Sequence, residues 1–484
     1  MLPLRELTRS LVAVTALVVA GSCGEPAGVK RGAMPGEPYS SVIAPGLAQL
    51  LGTQAPGTQV FVVVQYNPAV TSGSALTTRM MGLGAAAREL ARLPFVGALA
   101  TPPQISAVAA LPGVVRITEN RQLRYFGAAP TSVLAMLDRS VPTIKADQAR
   151  ATFGVSGRGI GVVILDSGID GLYQPDVRYP ARTVQNLKVL VNQADVMCVT
   201  GVPCAPSIYV ENLPISETSV GHGTHVSGIA GGDGTASGGQ YTGVAPGANL
   251  IGIGTGDVLF IFWALAGFDY VLTHQNAYNI KVVNNSWGTT GAFDPTDPIN
   301  VATKLVHDQG ITVVFAAGNS GPGQNTLNPY SVAPWVIGVA ASCSLTDSIG
   351  RADFCGGGML ASFSSRGLPG DPQLHPTVTA PGVYVKSARA STGLVLTGLD
   401  LPDDLTKCGL RTELAPWYTC ASGTSMATPH VTGVVALMQQ RAGGALTPDR
   451  VKAILTATAA PMSYATFEVG AGLVDALAAV GQSQ

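Results

Sequence analysis

The sequence predicts an α/β fold, an open, mostly parallel sheet with helices on both faces, preceded by a small α+β domain. Three observations lead there. Beyond residue 159, the aliphatic runs "IGVVILD", "NLIGIG", "KVVNNS", "ITVVFAAGN" and "WVIGVAA" recur. Continuous apolar runs of this kind belong to strands buried on both faces of a parallel sheet. Between them, "VLFIFWALAGFDYVLTH" and "PINVATKLVHDQG" have the pattern of crossover helices. Ahead of them, residues 58–126 read as a separate module of strand and helix patterns. In an open sheet of this class, reactive groups are expected at the carboxyl ends of the strands.

The chain has 484 residues, 46% hydrophobic and 12% charged, with 59 glycines. Such a composition suits a compact, loop-rich protein with a large core and excludes a disordered one. A formal net charge of −1, with no basic run, argues against nucleic acid as a partner. At the N-terminus, Arg5 and Arg9 precede the apolar stretch "LVAVTALVVA" (11–20) and the small residues "GSC" (21–23). This is the pattern of a signal peptide over 1–22, too short to span a bilayer. Two outcomes follow from it. "VAGSCG" resembles a bacterial lipoprotein box, which would lipidate Cys23 and anchor the chain at the cell envelope; ordinary cleavage would release a secreted protein. Residues 23–57, rich in Gly, Pro and Ala, read as a linker.

Within the 58–126 module, "QVFVVVQY" and "VVRITEN" read as strands, and "AAARELARLPF" and "PPQISAVAALPGVV" as helices. Residues 127–158 are a looser junction, and 159–484 form the main domain. The run "LFIFWALAGF" is too short to cross a membrane, and "GTGDVL" lacks the Lys-Ser/Thr of a phosphate loop. Seven cysteines are present. Setting Cys23 aside, the others fall in local pairs: Cys198 with Cys204, Cys343 with Cys355, Cys408 with Cys420. In an exported chain, proximity suggests three short-loop disulfides, each stabilising by about 2–3 kcal/mol.

The chemistry concentrates at three element ends. Asp166 ends "VVILDSGID", His222 opens "GHGTHVSGIAGG", and Ser425 lies in "GTSMATPHV" at the start of a helical run. A helix start carries unpartnered N–H groups and partial positive charge, so it stabilises an anion forming beside it. Read blandly, Thr424 or Ser425 is an N-cap. Together, however, Asp, His and Ser are the parts of a nucleophilic relay in which the imidazole takes the serine proton and the carboxylate holds the imidazole. An oxyanion would need the Ser425 N–H and a second donor, for which Asn319 in "VVFAAGNSG" is the candidate; the plain alternative is a turn residue.

These four blocks, in their order along the chain (Asp166, His222, Asn319, Ser425), resemble the signature blocks of the subtilisin family of serine endopeptidases. The similarity runs over roughly 140–480 and includes "ASFSSRG", "TAPGV" and "GAGLVDALAAV". It implies a subtilisin-like fold, hydrolysis of protein or peptide substrates by Asp166, His222 and Ser425, Asn319 in the oxyanion site, and no cofactor for the chemistry. The 58–126 module resembles the family's inhibitory propeptide, which implies a self-processing zymogen cut between about 120 and 140. "NNSWG" and "AAG" match the walls of the first specificity pocket, which places Ser286, Trp287, Gly288, Ala316, Ala317 and Gly318 there, with Trp287 expected to cap or narrow it. Structural calcium, found in relatives, would look to Asp170, Asp176 and Asp257; zinc at His222 and His225 is disfavoured, and His430 reads as a packing residue. A monomer is expected. The competing readings are a catalytically silent binding protein on the same fold and an acid peptidase with a Ser-Glu-Asp site, which His222 argues against.

Overall fold

The computed structural model describes residues 41–126, 140–190, 197–201, 205–344, 358–393 and 408–484, all within one compact unit. The signal segment, Cys23, Cys204 and Cys355 lie outside the described residues. The first element was expected to be linker. Instead Pro45–Thr53 form helix α1, with Pro45 in the first turn and Leu47 and Leu51 buried one turn apart against the following sheet.

That sheet is antiparallel, with strands β1 (Val60–Tyr66), β2 (Ala86–Glu89), β3 (Phe95–Ala100) and β4 (Val114–Glu119) in the order β2-β3-β1-β4. Helices α2 (Gly73–Gly82) and α3 (Pro102–Ala109) pack on it. The helix expected at "AAARELARLPF" does not form. Its residues make β2 and a tight turn into β3, closed by the Leu90 N–H to Phe95 carbonyl bond. Tertiary contact overrides helix propensity there: the N–H groups of Ala91, Arg92 and Leu93 all donate to the buried carboxylate of Asp269, at 2.9, 2.6 and 2.9 Å.

A short strand, β5 (Gln122–Tyr125), leads out of this module towards the main sheet. The main sheet comprises β6 (Gly161–Asp166), β7 (Thr183–Val189), β8 (Tyr209–Val210), β9 (Asn249–Gly254), β11 (Ile280–Asn285), β13 (Thr312–Ala316), β14 (Ile337–Ser342) and β15 (Val378–Pro381). Their order is β15-β14-β13-β11-β6-β9-β7-β8, parallel except for the edge strand β8. The central strands β6, β13 and β14 are buried along their whole length because each face of the sheet meets helices. Val162 and Ile164 of β6 join one core with α5 (His222–Gly231) and α8 (Thr424–Arg441), while Val163 and Leu165 join the other with α6 (Ile261–His274) and α7 (Pro298–Asp308). Helices α4 (Ala146–Phe153), α9 (Pro448–Thr458) and α10 (Ala476–Gly481) complete the first layer.

Helix α6 is buried on every side, Ile261 through Leu272. A helix apolar all round must be covered all round, and here the sheet covers one side while the N-terminal module covers another. Phe61 of β1 meets Phe262 and Trp263 with ring centroids 5.5 and 5.7 Å apart. Asn120 Oδ1 accepts the Phe262 N–H at 2.8 Å and the Arg121 carbonyl accepts that of Ile261, capping the helix start. Replacing Asp269 by Asn leaves the turn amides short of acceptors. Asp269→Asn is expected to destabilise the intact chain by about 1–3 kcal/mol, read by denaturant unfolding, with hydrogen exchange rising first at residues 91–93.

Candidate active site

Strand β6 reaches the carboxyl edge of the sheet where the chain's direction of travel reverses, from β7 and β9 on one side to β11 and β13 on the other. That is where open α/β sheets open a crevice. Asp166 is the last residue of β6, and His222 the first of α5; Gly221 before it turns the chain into the helix at φ 72°, a left-handed conformation glycine adopts freely. Asp166 Oδ1 lies 2.6 Å from His222 Nδ1, with the two side chains 0% and 1% exposed. The Ser167 N–H also donates to that oxygen at 2.7 Å. With Nδ1 facing the carboxylate, the ring proton is held there and Nε2 presents its lone pair. Buried His222 Nε2 has no hydrogen-bond partner.

The start of α5 is held by two side chains that sequence reading missed. Ser167 Oγ accepts the Gly223 N–H at 2.8 Å, and Glu217 Oε2 accepts the Thr224 N–H and hydroxyl at 2.9 and 2.8 Å. Burial pushes the Glu217 carboxyl up to about 7 despite those donors.

Ser425 lies buried in the first turn of α8. Its Oγ donates to the Ser286 carbonyl at 2.8 Å, and Ser286 Oγ donates to the Ser425 carbonyl at 2.9 Å. The second bond accounts for Pro429: the carbonyl that loses a helical donor to the proline is satisfied from β11's end. Asn319, three residues past β13, accepts the Thr424 N–H and hydroxyl on Oδ1 at 3.0 and 2.9 Å. Its amide Nδ2 is therefore turned outward, and it donates at 2.8 Å to the carbonyl of Phe126. The Ser425 N–H points to the same oxygen at 3.4 Å. A Cβ on Gly423 would stand 2.0 Å from that oxygen, so only glycine admits it.

Phe126 directly follows β5, the strand that leaves the N-terminal module. Strand β5 pairs antiparallel with β10 (Leu259–Phe260) on one side and β12 (Trp287–Gly288) on the other, and the Phe126 N–H donates to the Ser286 carbonyl at 3.1 Å. The tail thus lies in the crevice as an added strand.

Comparison with known proteins agrees with this arrangement. The family model for the Subtilase family, Peptidase S8, matches residues 157–472. The chain belongs to the subtilase family. A serine protease, AprX, of Bacillus subtilis is 31% identical over 336 residues, 67% of this chain and 66% of that protein. An extracellular protease of Xanthomonas campestris is 33% identical over 296 residues, 58% of this chain and 42% of that one. The chain therefore spans just under two thirds of the first relative and less than half of the second. The crystal structure of fervidolysin from Fervidobacterium pennivorans, a keratinolytic enzyme related to subtilisin, shares the fold with a TM-score of 0.63 at 21% identity, covering 88% of this chain and 62% of that one.

In this subtilase the residues assigned to the first pocket are placed unevenly. Backbone Ser286, Trp287 and Gly288 meet the tail, and Ala316, Ala317 and Gly318 follow from β13. Asn328, unnoticed in the sequence, ties the two segments through the carbonyls of Trp287 (3.2 Å) and Ala316 (2.9 Å). The Trp287 side chain is not a cap. Its indole is fully buried among Phe268, Phe315 and Tyr330, and Nε1 donates to the Leu165 carbonyl at 2.8 Å. Burying the large ring in the core satisfies both its apolar area and its single donor.

The acids considered for calcium are already engaged: Asp170 by Tyr173 and Ser391, Asp176 by Ala236 and Tyr418, Asp257 by Ser219. They do not converge, and among the described residues no group of three or more His, Cys, Asp or Glu side chains could hold a metal ion. Cys408 and Cys420 are disulfide-bonded; Cys198 and Cys343 are also in disulfides, with partners outside the described residues.

The two further histidines near the site are buried and neutral. His225 meets the Val385 carbonyl and His430 the Met426 carbonyl, and burial pushes their pKa values down to about 3 and about 4. Both lie below the unfolded value of about 6.5. Stability from this pair is thus complete above about pH 6.5 and lost as pH falls towards 4, at up to about 1.4 kcal/mol per pH unit for each histidine. Unfolding by denaturant between pH 4 and 8 should show that slope, and His430→Gln should reduce it by about half. Asn319→Ala removes one of the two donors to the Phe126 carbonyl and is expected to lower kcat against a peptide by about 10²–10³-fold, read by steady-state kinetics of the mature protein.

Proposed function

We propose that the protein is an exported, subtilisin-like serine endopeptidase made as a zymogen, and that it releases itself by cutting after Phe126. One observation carries the reading: a single backbone carbonyl, that of Phe126, receives both the Asn319 amide and the Ser425 N–H, beside the paired Asp166 and His222. A carbonyl so held is polarised for attack, and the donors bond better to the oxyanion than to the amide oxygen it replaces.

In the reaction, the Ser425 hydroxyl rotates from the Ser286 carbonyl to His222 Nε2. Oγ attacks the Phe126 carbonyl carbon as Nε2 takes its proton, and Asp166 stabilises the imidazolium. Collapse of the tetrahedral intermediate breaks the bond to Gly127, and His222 returns the proton to the departing amine. Water then attacks the Ser425 ester, again deprotonated by His222, and frees the Phe126 carboxylate. External proteins enter the same crevice as an added strand between β10 and β12. Export is supported by the signal-like N-terminus and by a relative named as extracellular. The released module, still covering α6, acts as an inhibitor until it is degraded. Lipidation of Cys23 decides between a secreted and an envelope-anchored protein.

Purified wild-type chain should carry Gly127 at its mature N-terminus by intact-mass analysis, while Ser425→Ala stays at the length of the chain without its signal. Normal processing of that variant, in the absence of other proteases, would overturn self-cleavage. A phosphonofluoridate probe that fails to label Ser425 in the mature enzyme would leave a silent binding protein on this fold.

A further inference from the structure

Discrimination between substrates cannot come from the backbone pairing that β5 makes on both sides, because every sequence can make it. It must come from side chains, and those of the tail alternate: Gln122 and Arg124 are exposed, and Leu123 is buried. Tyr125, directly before Phe126, makes the most specific contacts. Its ring lies on the His222 imidazole, centroids 5.2 Å apart and planes tilted by 34°. Its hydroxyl is 2.8 Å from Thr255 Oγ1 and 3.0 Å from the Gly256 carbonyl.

Thr255 follows β9, and its hydroxyl donates at 3.0 Å to the Asp166 carbonyl, which also accepts the Thr255 N–H at 2.8 Å. A threonine hydroxyl has one proton. The Gly256 carbonyl can only accept, so the tail must bring a donor for it, and that donor atom must also stand within reach of Thr255 Oγ1, whose own proton goes to the Asp166 carbonyl or to the phenol. A phenol does so at the distance a flat ring on His222 sets. Burial, followed by the Asp166 charge, pushes the Tyr125 phenol well above its ordinary pKa, so it remains a donor throughout the range in which an imidazole can act as base.

We propose that the subsite next to the scissile residue is a tyrosine slot, formed by the His222 ring, Thr255 Oγ1 and the Gly256 carbonyl, and that the enzyme prefers substrates with Tyr immediately before the residue it cuts. The inference rests on the endopeptidase reading and adds its substrate preference. The chain's own "LRYF" (123–126) is then a template of a favoured sequence as well as an inhibitory tail. Phenylalanine keeps the ring contact with His222 and loses the hydroxyl, leaving the Gly256 carbonyl without its phenol donor and Thr255 Oγ1 without its phenol partner; alanine loses ring and hydroxyl.

The test uses mature enzyme obtained from the full chain and three quenched peptides carrying Leu-Arg-Xaa-Phe before the cut, with Xaa Tyr, Phe or Ala. The expected order of kcat/KM is Tyr, Phe, Ala, with Tyr about tenfold above Phe. In Thr255→Val that ratio should fall to about threefold or less, the Gly256 carbonyl remaining, and Thr255→Ser should restore it. Reading the ratio within each enzyme cancels any loss of turnover common to both peptides. Equal kcat/KM for Tyr and Phe in the wild type, or an unchanged ratio in Thr255→Val, would overturn the slot and leave the endopeptidase standing. Cleavage of none of the three peptides would overturn the slot as well, and labelling of Ser425 by the phosphonofluoridate probe would then decide whether the endopeptidase reading survives.

Discussion

The structure depends on one carbonyl oxygen and the two donors that meet it. The N–H of Ser425 is free because it lies in the first turn of α8, and the Asn319 amide is available because Thr424 occupies its other end. A helix start left without an anion or carbonyl partner would be an unsatisfied, partly positive site in a buried crevice. The Phe126 carbonyl satisfies it, and in doing so it fixes the register of β5 against β10 and β12.

The remainder of the N-terminal module is organised to deliver that tail. Its sheet covers the apolar helix α6, Asn120 and the Arg121 carbonyl cap the start of that helix, and Asp269 gathers three amides of the β2–β3 turn. Ion pairs at the rim, Arg116 with Asp294 and Arg121 with Asp297, add orientation more than energy. The unusual apolar run "LFIFWALAGF" is explained by this burial. A helix of that composition suits a chain in which a second layer covers it.

Groups that face the crevice and groups that pack in the core alternate along the same short segments. Ser286 supplies its carbonyl to both the tail and Ser425 Oγ, while its neighbour Trp287 sends its ring into the core. His222 faces the crevice, while His225, one turn on, is closed off and held neutral. Such alternation lets rigid core elements position reactive side chains, since a displaced Trp287 or His225 would move the strand or helix that carries its neighbour.

The sequence by itself determined the family, and the kinds of element on which Asp166, His222, Ser425 and Asn319 stand. Apolar strands, small-residue helix starts and the four motif blocks made Asp166, His222, Ser425 and Asn319 legible, because motif chemistry and strand burial are local properties of a few consecutive residues. Tertiary structure alone decided the rest. Whether "AAARELARLPF" would coil or extend depended on a carboxylate far along the chain, and whether Trp287 would line a pocket or fill the core depended on the cavity between Phe268, Phe315 and Tyr330. The places of Tyr125 and Phe126 were likewise invisible in sequence, because a tail's register is set by the groove that receives it and not by its own residues.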